Sequence, residues 1–207
     1  MWNWLGSRQL RAETSDAELH RAALAGSTDA MAALYRRHGG LIYRFTLRMS
    51  CDATVAEEIT QEVFLALLSQ PERFDPERAA LPTWLCGIAR RQLWKHYEKT
   101  GRQSLADDDE ELVEPAADDD SPVELLLRSE AVAAVQSAIN TLPAELREVI
   151  VLCALEEMSY EQTAEAMAVP VGTVRSRLHR AKLRLARALR SDMAGVSERT
   201  VLRRRTQ

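Results

Sequence analysis

The sequence is poor in what builds sheets, staples and membrane spans. Aromatic residues make up only 5% of its 207 positions, and there are just 8 Gly and 7 Pro, too few to punctuate a chain of short strands. Its cysteines, Cys51, Cys86 and Cys153, are an odd number at wide spacing, so neither a disulfide framework nor a CxxC metal knuckle is expected. Buried, reduced thiols are expected instead. No apolar run approaches the roughly 18–20 residues that a bilayer span needs. The stretch Met1-Trp2-Asn3-Trp4-Leu5 lacks the apolar core and cleavage site of a signal peptide, so a cytoplasmic location is expected. HExxH, GxSxG and Walker-type motifs are missing and the four His are scattered, so catalysis, a metal and a cofactor are not expected.

What is present favours helix. The composition is 46% hydrophobic and 28% charged, rich in Ala, Leu, Arg and Glu, which lose little freedom in a helix. The expected fold is all-α. The formal net charge of −4 conceals segregation. Residues 84–102 carry five bases against Glu98, residues 103–127 carry ten acids and no base, and residues 171–207 carry eleven bases against Asp192 and Glu198. Two basic blocks flanking an acidic one suggest two polyanion-facing surfaces joined by an acidic connector.

Helix signals run through both flanks of that connector. Ser15-x-x-Glu18 is a capping-box pattern opening a short helix that should stop near Gly26. A second helix over about 29–49 places Met31, Leu34, Tyr35, His38, Ile42 and Phe45 on one side. Thr54-x-x-Glu57 offers another capping box, followed by the apolar stripe Ile59, Val63 and Leu67 with Glu58, Gln61 and Glu62 turned away from it. Pro71, Pro76 and Pro82 predict a loop over 70–82. A helix then runs from Thr83 to Lys99 with Trp84, Leu85, Ile88 and Leu93 inward. Two small helical domains result, 16–102 and 123–190, with an acidic flexible linker over 103–122 and a basic, disordered tail over 191–207. In the second domain Leu125, Val132, Val135 and Ile139 line one helix, and Leu146, Val149, Ile150 and Cys153 form the core stripe of the next.

The most specific signal lies at 159–181. Ser159 caps a short helix with Gln162 at the capping-box position, Ala168 to Gly172 break it, and Thr173 caps or opens a second helix. Val174 and Leu178 should pack against Ala164, Met167 and Val169, leaving Arg175, Ser176, His179 and Arg180 outward. A second helix held clear of the body with an Arg-rich face is how a helix-turn-helix enters the major groove. Arg donates two hydrogen bonds to guanine, Ser reaches base or phosphate, and Lys182, Arg184, Arg187 and Arg190 suit phosphates. An ordinary helical hairpin with a solvated basic face has the same spacing.

These residues resemble a known family. Thr141-Leu-Pro-Ala-Glu-Leu-Arg-Glu-Val-Ile, Ser159-Tyr-Glu-Gln-Thr-Ala-Glu and Pro170-Val-Gly-Thr-Val-Arg-Ser-Arg-Leu-His-Arg-Ala resemble region 4 of the extracytoplasmic-function (ECF) sigma factors. Ala33-Leu-Tyr-Arg-Arg-His, Ala56-Glu-Glu-Ile-Thr-Gln-Glu-Val-Phe-Leu and Thr83-Trp-Leu-Cys-Gly-Ile-Ala-Arg-Arg resemble their region 2. The resemblance spans residues 16–190 in order. It implies a subunit that binds core RNA polymerase, directs it to promoter DNA and is held by an anti-sigma factor. It implies minus-thirty-five contacts from Thr173, Arg175, Ser176, Arg177, His179, Arg180, Lys182 and Arg184. It implies minus-ten contacts from Trp84, Arg90, Arg91 and Lys95, with Trp84 equally suited to the core, and polymerase contacts from Glu58, Gln61, Glu62 and Leu65. The linker is unusually acidic for this family: either a simple tether or a mimic of nucleic acid in a basic channel. The rival assignment is a free-standing helix-turn-helix regulator. Residues 29–100 argue against it, since such a regulator would usually carry a ligand or phospho-acceptor domain there.

Overall fold

The computed structural model describes residues 14–70, 74–100 and 132–205, and over 191–205 the backbone alone. Trp2, Trp4, the acidic segment 103–122 and Leu125 lie outside the described residues. The described residues are helical with no strand among them.

The first half is a bundle of α2 (Thr28–Ser50), α3 (Ala53–Ser69) and α4 (Leu81–Thr100), with α1 (Asp16–Leu24) packed on α2. Local chemistry starts and stops each helix. Ser15 and Glu18 form the expected capping box on α1, and the Ser15 backbone N–H holds the Glu18 carboxyl below its usual range. Gly26, at φ +92°, supplies the left-handed turn after the helix. The cap of α3 is Asp52 rather than the expected Thr54, because its carboxylate accepts from the N–H groups of Thr54 at 2.9 Å and Val55 at 3.2 Å. Pro82 falls inside the first turn of α4 instead of ending a loop, a position where no N–H is missed. Leu34, Ile42, Phe45 and Met49 of α2, Val55, Ile59, Val63 and Leu67 of α3, and Leu85, Ile88, Leu93 and Tyr97 of α4 fill the core. Each such side chain contributes about 1.5–3 kcal/mol on burial. Tyr35 was expected inward but is 49% exposed; the buried face of α2 is centred on Ala33, Leu34 and Ile42, and Tyr35 sits at its rim against Phe64.

In the second half α5 (132–140) leads into α6 (Ala144–Ile150), which relaxes into a π-helical turn (Val151–Leu155), then α7 (Tyr160–Met167) and α8 (Val171–Arg205). Val132 and Val135, expected on the packed side of α5, are exposed, while Ala138 and Ile139 are buried. Helix α8 continues to Arg205 where a disordered tail was expected: from 186 onward the chain has no Pro and a single Gly, so nothing breaks the helix. The thiols also divide. Cys86 is buried and pushed up to about 12 by desolvation, and Cys153 is half-buried beside Thr163. Cys51, contrary to expectation, is exposed: it ends α2 in the left-handed conformation at φ 55°.

The two halves do not stand apart. Helix α7 packs along α4, and α6 with the π-turn packs against α2, so one apolar cluster runs through both. Gly87 faces this contact: a Cβ there would lie 3.5 Å from the carbonyl oxygen of Ala166, an ordinary van der Waals distance with room for a methyl group but no more. Among the described residues no helix is long and apolar enough to cross a membrane.

Candidate nucleic-acid interface

Helices α7 and α8 form a helix-turn-helix whose geometry follows from a few local choices. The Ser159 hydroxyl accepts from the N–H of Gln162 at 3.1 Å, and Gln162 Oε1 accepts from the N–H of Ser159 at 2.9 Å. Ala168 closes α7 in the left-handed region at φ 54°, and the N–H of Val169 donates to the Ala164 carbonyl at 2.9 Å. The Pro170 carbonyl then accepts from Thr173 at 2.9 Å and Val174 at 3.3 Å. Thr173 therefore sits within the first turn of α8 and neither caps nor opens it.

Val174, Leu178 and Ala181 are buried at i, i+4 and i+7, beside buried Ala164 and Met167 of α7. That stripe fixes which way α8 faces. Arg175, Ser176, His179 and Arg180 are exposed on one side, with Lys182 and Arg184 exposed further along. Arg177 falls elsewhere: its Nη2 pairs with Glu145 Oε2 of α6 at 2.6 Å and its side chain is 16% exposed. The Arg175 guanidinium lies 5.8 Å from the ring centre of Tyr160, a cation–π arrangement that joins the two helices of the motif. Sequence spacing alone misses Tyr160, since its partner lies fifteen positions on, across the turn.

The basic face of α4 is split. Arg91 and Lys95 are exposed. Trp84 is half-buried and packs on Phe74, ring centres 5.4 Å apart. Arg90 turns toward the second half, where its Nε lies 2.6 Å from Glu148 Oε1 of α6 while its guanidinium sits 5.8 Å from the Trp94 ring centre. The pair is within ionic contact, but the N–H is not aimed along a hydrogen bond. Burial raises the Glu148 carboxyl to about 7, against the opposing pull of Arg90 and Arg177.

A third surface lies on α3. Glu58, Gln61, Glu62 and Leu65 are all exposed at i, i+3, i+4 and i+7. Leu65 is 64% exposed, and Leu68 and Tyr35 are also exposed apolar side chains. Among the described residues no group of three His, Cys, Asp or Glu could hold a metal ion.

A helical bundle followed by a helix-turn-helix with an outward basic face defines a DNA-binding protein of the helix-turn-helix class. Comparison with known proteins narrows that class. Residues 34–103 match the family model for sigma-70 region 2, and residues 133–185 match that for sigma-70 region 4. The ECF RNA polymerase sigma factor SigM of Mycobacterium tuberculosis is 32% identical over 91% of this chain and 92% of its own length. The ECF RNA polymerase sigma factor SigE of Mycolicibacterium smegmatis is 32% identical over 73% of this chain, and the match spans 58% of that relative. The fold is shared with the sigma factor RpoE of Bartonella quintana, solved with its anti-sigma factor NepR, at TM-score 0.61 and 24% identity over 78% of this chain and 97% of the other. The chain belongs to the sigma-70 family, among the ECF sigma factors.

Proposed function

We propose that the chain is an alternative sigma subunit: it binds core RNA polymerase in the cytoplasm and directs it to a specific set of promoters, while the polymerase does the chemistry. The observation that carries this is the outward face of α8, Arg175, Ser176, His179 and Arg180, held by the buried Val174–Leu178–Ala181 stripe. Arg on such a face suits a bidentate contact to guanine in the minus-thirty-five element. Lys182 and Arg184 follow the phosphates. The exposed run Glu58, Gln61, Glu62 and Leu65 on α3 is the docking face for the polymerase, and an acidic rim around apolar side chains suits a basic partner surface. Arg91 and Lys95 of α4 face the minus-ten strand, with Trp84 at its edge. Arg90 and Arg177 are not free for DNA while paired with Glu148 and Glu145. The relative from Bartonella quintana is held by an anti-sigma factor, and a protein of that kind is the expected partner here.

The test is transcription in vitro with purified core polymerase and a genomic fragment library. Specific transcripts should appear only when chain and core are both present. Tight, sequence-specific duplex binding by the chain alone, with no stimulated transcription, would instead identify a free-standing regulator.

A further inference from the structure

The stretch that leads into α4 is anchored by one side chain. Among residues 74–80 Phe74 alone is buried, while Asp75, Pro76, Glu77 and Arg78 are exposed. The exposed part is a tight turn: Asp75 Oδ1 accepts from the N–H of Glu77 at 2.9 Å, and the Asp75 carbonyl accepts from Arg78 and Ala79 at 3.2 Å each. The Phe74 ring touches two others. Its centre lies 5.4 Å from that of Trp84 of α4, tilted by 55°, and 5.2 Å from that of His20 of α1, edge to face at 80°. His20 is fixed in its turn. It is 7% exposed, and its Nε2 donates to the Leu67 carbonyl at 3.2 Å. That carbonyl stands in the last turn of α3, and the residue four positions on is Pro71, which has no N–H to offer it.

The row His20, Phe74, Trp84 thus runs from the end of α3 to the start of α4. Trp84 is half-buried, and a tryptophan in the first turn of a helix has several staggered orientations open to it. Ring–ring contacts are directional, so an aromatic neighbour narrows that choice where an aliphatic one of similar bulk does not. A ring that receives an unstacked base binds it best when already ordered, because ordering it during binding lowers the affinity. His20 belongs to α1, ahead of residues 34–103 that match the region 2 model, so the row draws on a part of the chain beyond the matched domain.

We propose that His20 and Phe74 are positioning residues for minus-ten recognition: they hold the Trp84 ring in the orientation in which it receives an unpaired base. The inference rests on the reading of the chain as a sigma subunit with Trp84 at the minus-ten element. Neither side chain has to touch DNA. Their effect on the promoter passes through Trp84, so it vanishes once Trp84 is gone. A purely structural contribution would instead add to the loss of Trp84.

The experiment uses the full chain with core polymerase on a promoter recovered from the genomic library, and reads opening of the minus-ten element by permanganate reactivity of unpaired thymines. The variants are Trp84→Ala, Phe74→Leu, Phe74→Tyr, His20→Gln, and Phe74→Leu combined with Trp84→Ala. Phe74→Leu keeps apolar bulk but loses the ring, and His20→Gln keeps an N–H for Leu67 but loses the ring. Circular dichroism and co-purification with core check fold and docking. Trp84→Ala should reduce opening about five- to a hundredfold. Phe74→Leu and His20→Gln should each reduce it about two- to tenfold, and Phe74→Tyr should match wild type. In the Trp84→Ala background Phe74→Leu should cause no further loss. Additive losses in the double variant would overturn the proposal. So would unchanged opening in Trp84→Ala or in both ring-removing variants, or a Phe74→Tyr chain as defective as Phe74→Leu. If Phe74→Leu does not fold, His20→Gln combined with Trp84→Ala gives the same comparison. These failures leave the sigma reading intact. A wild-type chain that yields no transcript with core from the library overturns that reading, and the positioning role with it.

Discussion

At the scale of the residue, function rests on where single side chains point. Arg175 is exposed on the outward face of α8, with its guanidinium over the Tyr160 ring. Losing a bidentate base contact costs about 1–3 kcal/mol, so Arg175→Ala should lower transcription from a cognate promoter about ten- to a hundredfold while core binding persists. Tyr160→Ala should give a smaller loss that Tyr160→Phe restores, because the brace needs only the ring; abortive-transcript assays on the three variants measure this. Glu148 carries a pH dependence. Its carboxyl is raised from 4.5 to about 7 by burial, with Arg90 and Arg177 pulling the other way and Glu145 reinforcing the rise. Between those values the folded chain holds a proton that the unfolded chain has released, so this group's contribution is full below pH 4.5 and is lost as pH rises through about 7. Melting curves from pH 5 to 8 should therefore show Glu148→Gln less sensitive to rising pH than wild type, by at most on the order of 3 kcal/mol.

At the scale of the element, helix ends and helix faces decide. Ala168 holds a left-handed conformation that costs a residue with a Cβ about 1–2 kcal/mol; glycine avoids that cost, and its looser unfolded state offsets part of the gain. Ala168→Gly should leave the motif intact and raise stability by up to about 1 kcal/mol, read by urea denaturation. On α3 the exposed acids are separate from the buried Ile59–Val63–Leu67 stripe. Glu62→Lys should leave the melting temperature nearly unchanged, since exposed substitutions shift stability by about 0.5 kcal/mol. It should weaken co-purification with core polymerase through repulsion from a basic partner surface. Wild-type co-purification of this variant would remove that face from the polymerase contact.

At the scale of the whole molecule, the seam between α4 and α7 couples the halves. Gly87 is buried in it with a backbone carbonyl 3.5 Å from where a Cβ would stand. Gly87→Val should wedge the helices apart, at a cost of about 1–3 kcal/mol for overpacking. Calorimetry should then resolve two transitions in the variant and a single one in the wild-type chain. A single unshifted transition would mean the seam contributes nothing to cooperativity.

Much was determined by sequence alone. Helical periodicity, the capping boxes at Ser15 and Ser159, and the spacing of Val174 and Leu178 depend on neighbours within one or two turns, so all-helical folding and the outward face of α8 were legible without a structure. The motifs that mark the sigma-70 regions are likewise local strings. What only the tertiary structure decided is which charges meet across the chain. Arg90 and Arg177 look like their basic neighbours in sequence, yet Glu148 and Glu145 claim them, and Glu156 gathers two arginines from more than a hundred positions away. Cys51 and Tyr35 were likewise placed by the end and the rim of α2 rather than by their own hydrophobicity. Charge pairing over such separations has no periodicity to reveal it: it depends on two surfaces folding first and then meeting, and a linear pattern records neither the meeting nor its partners.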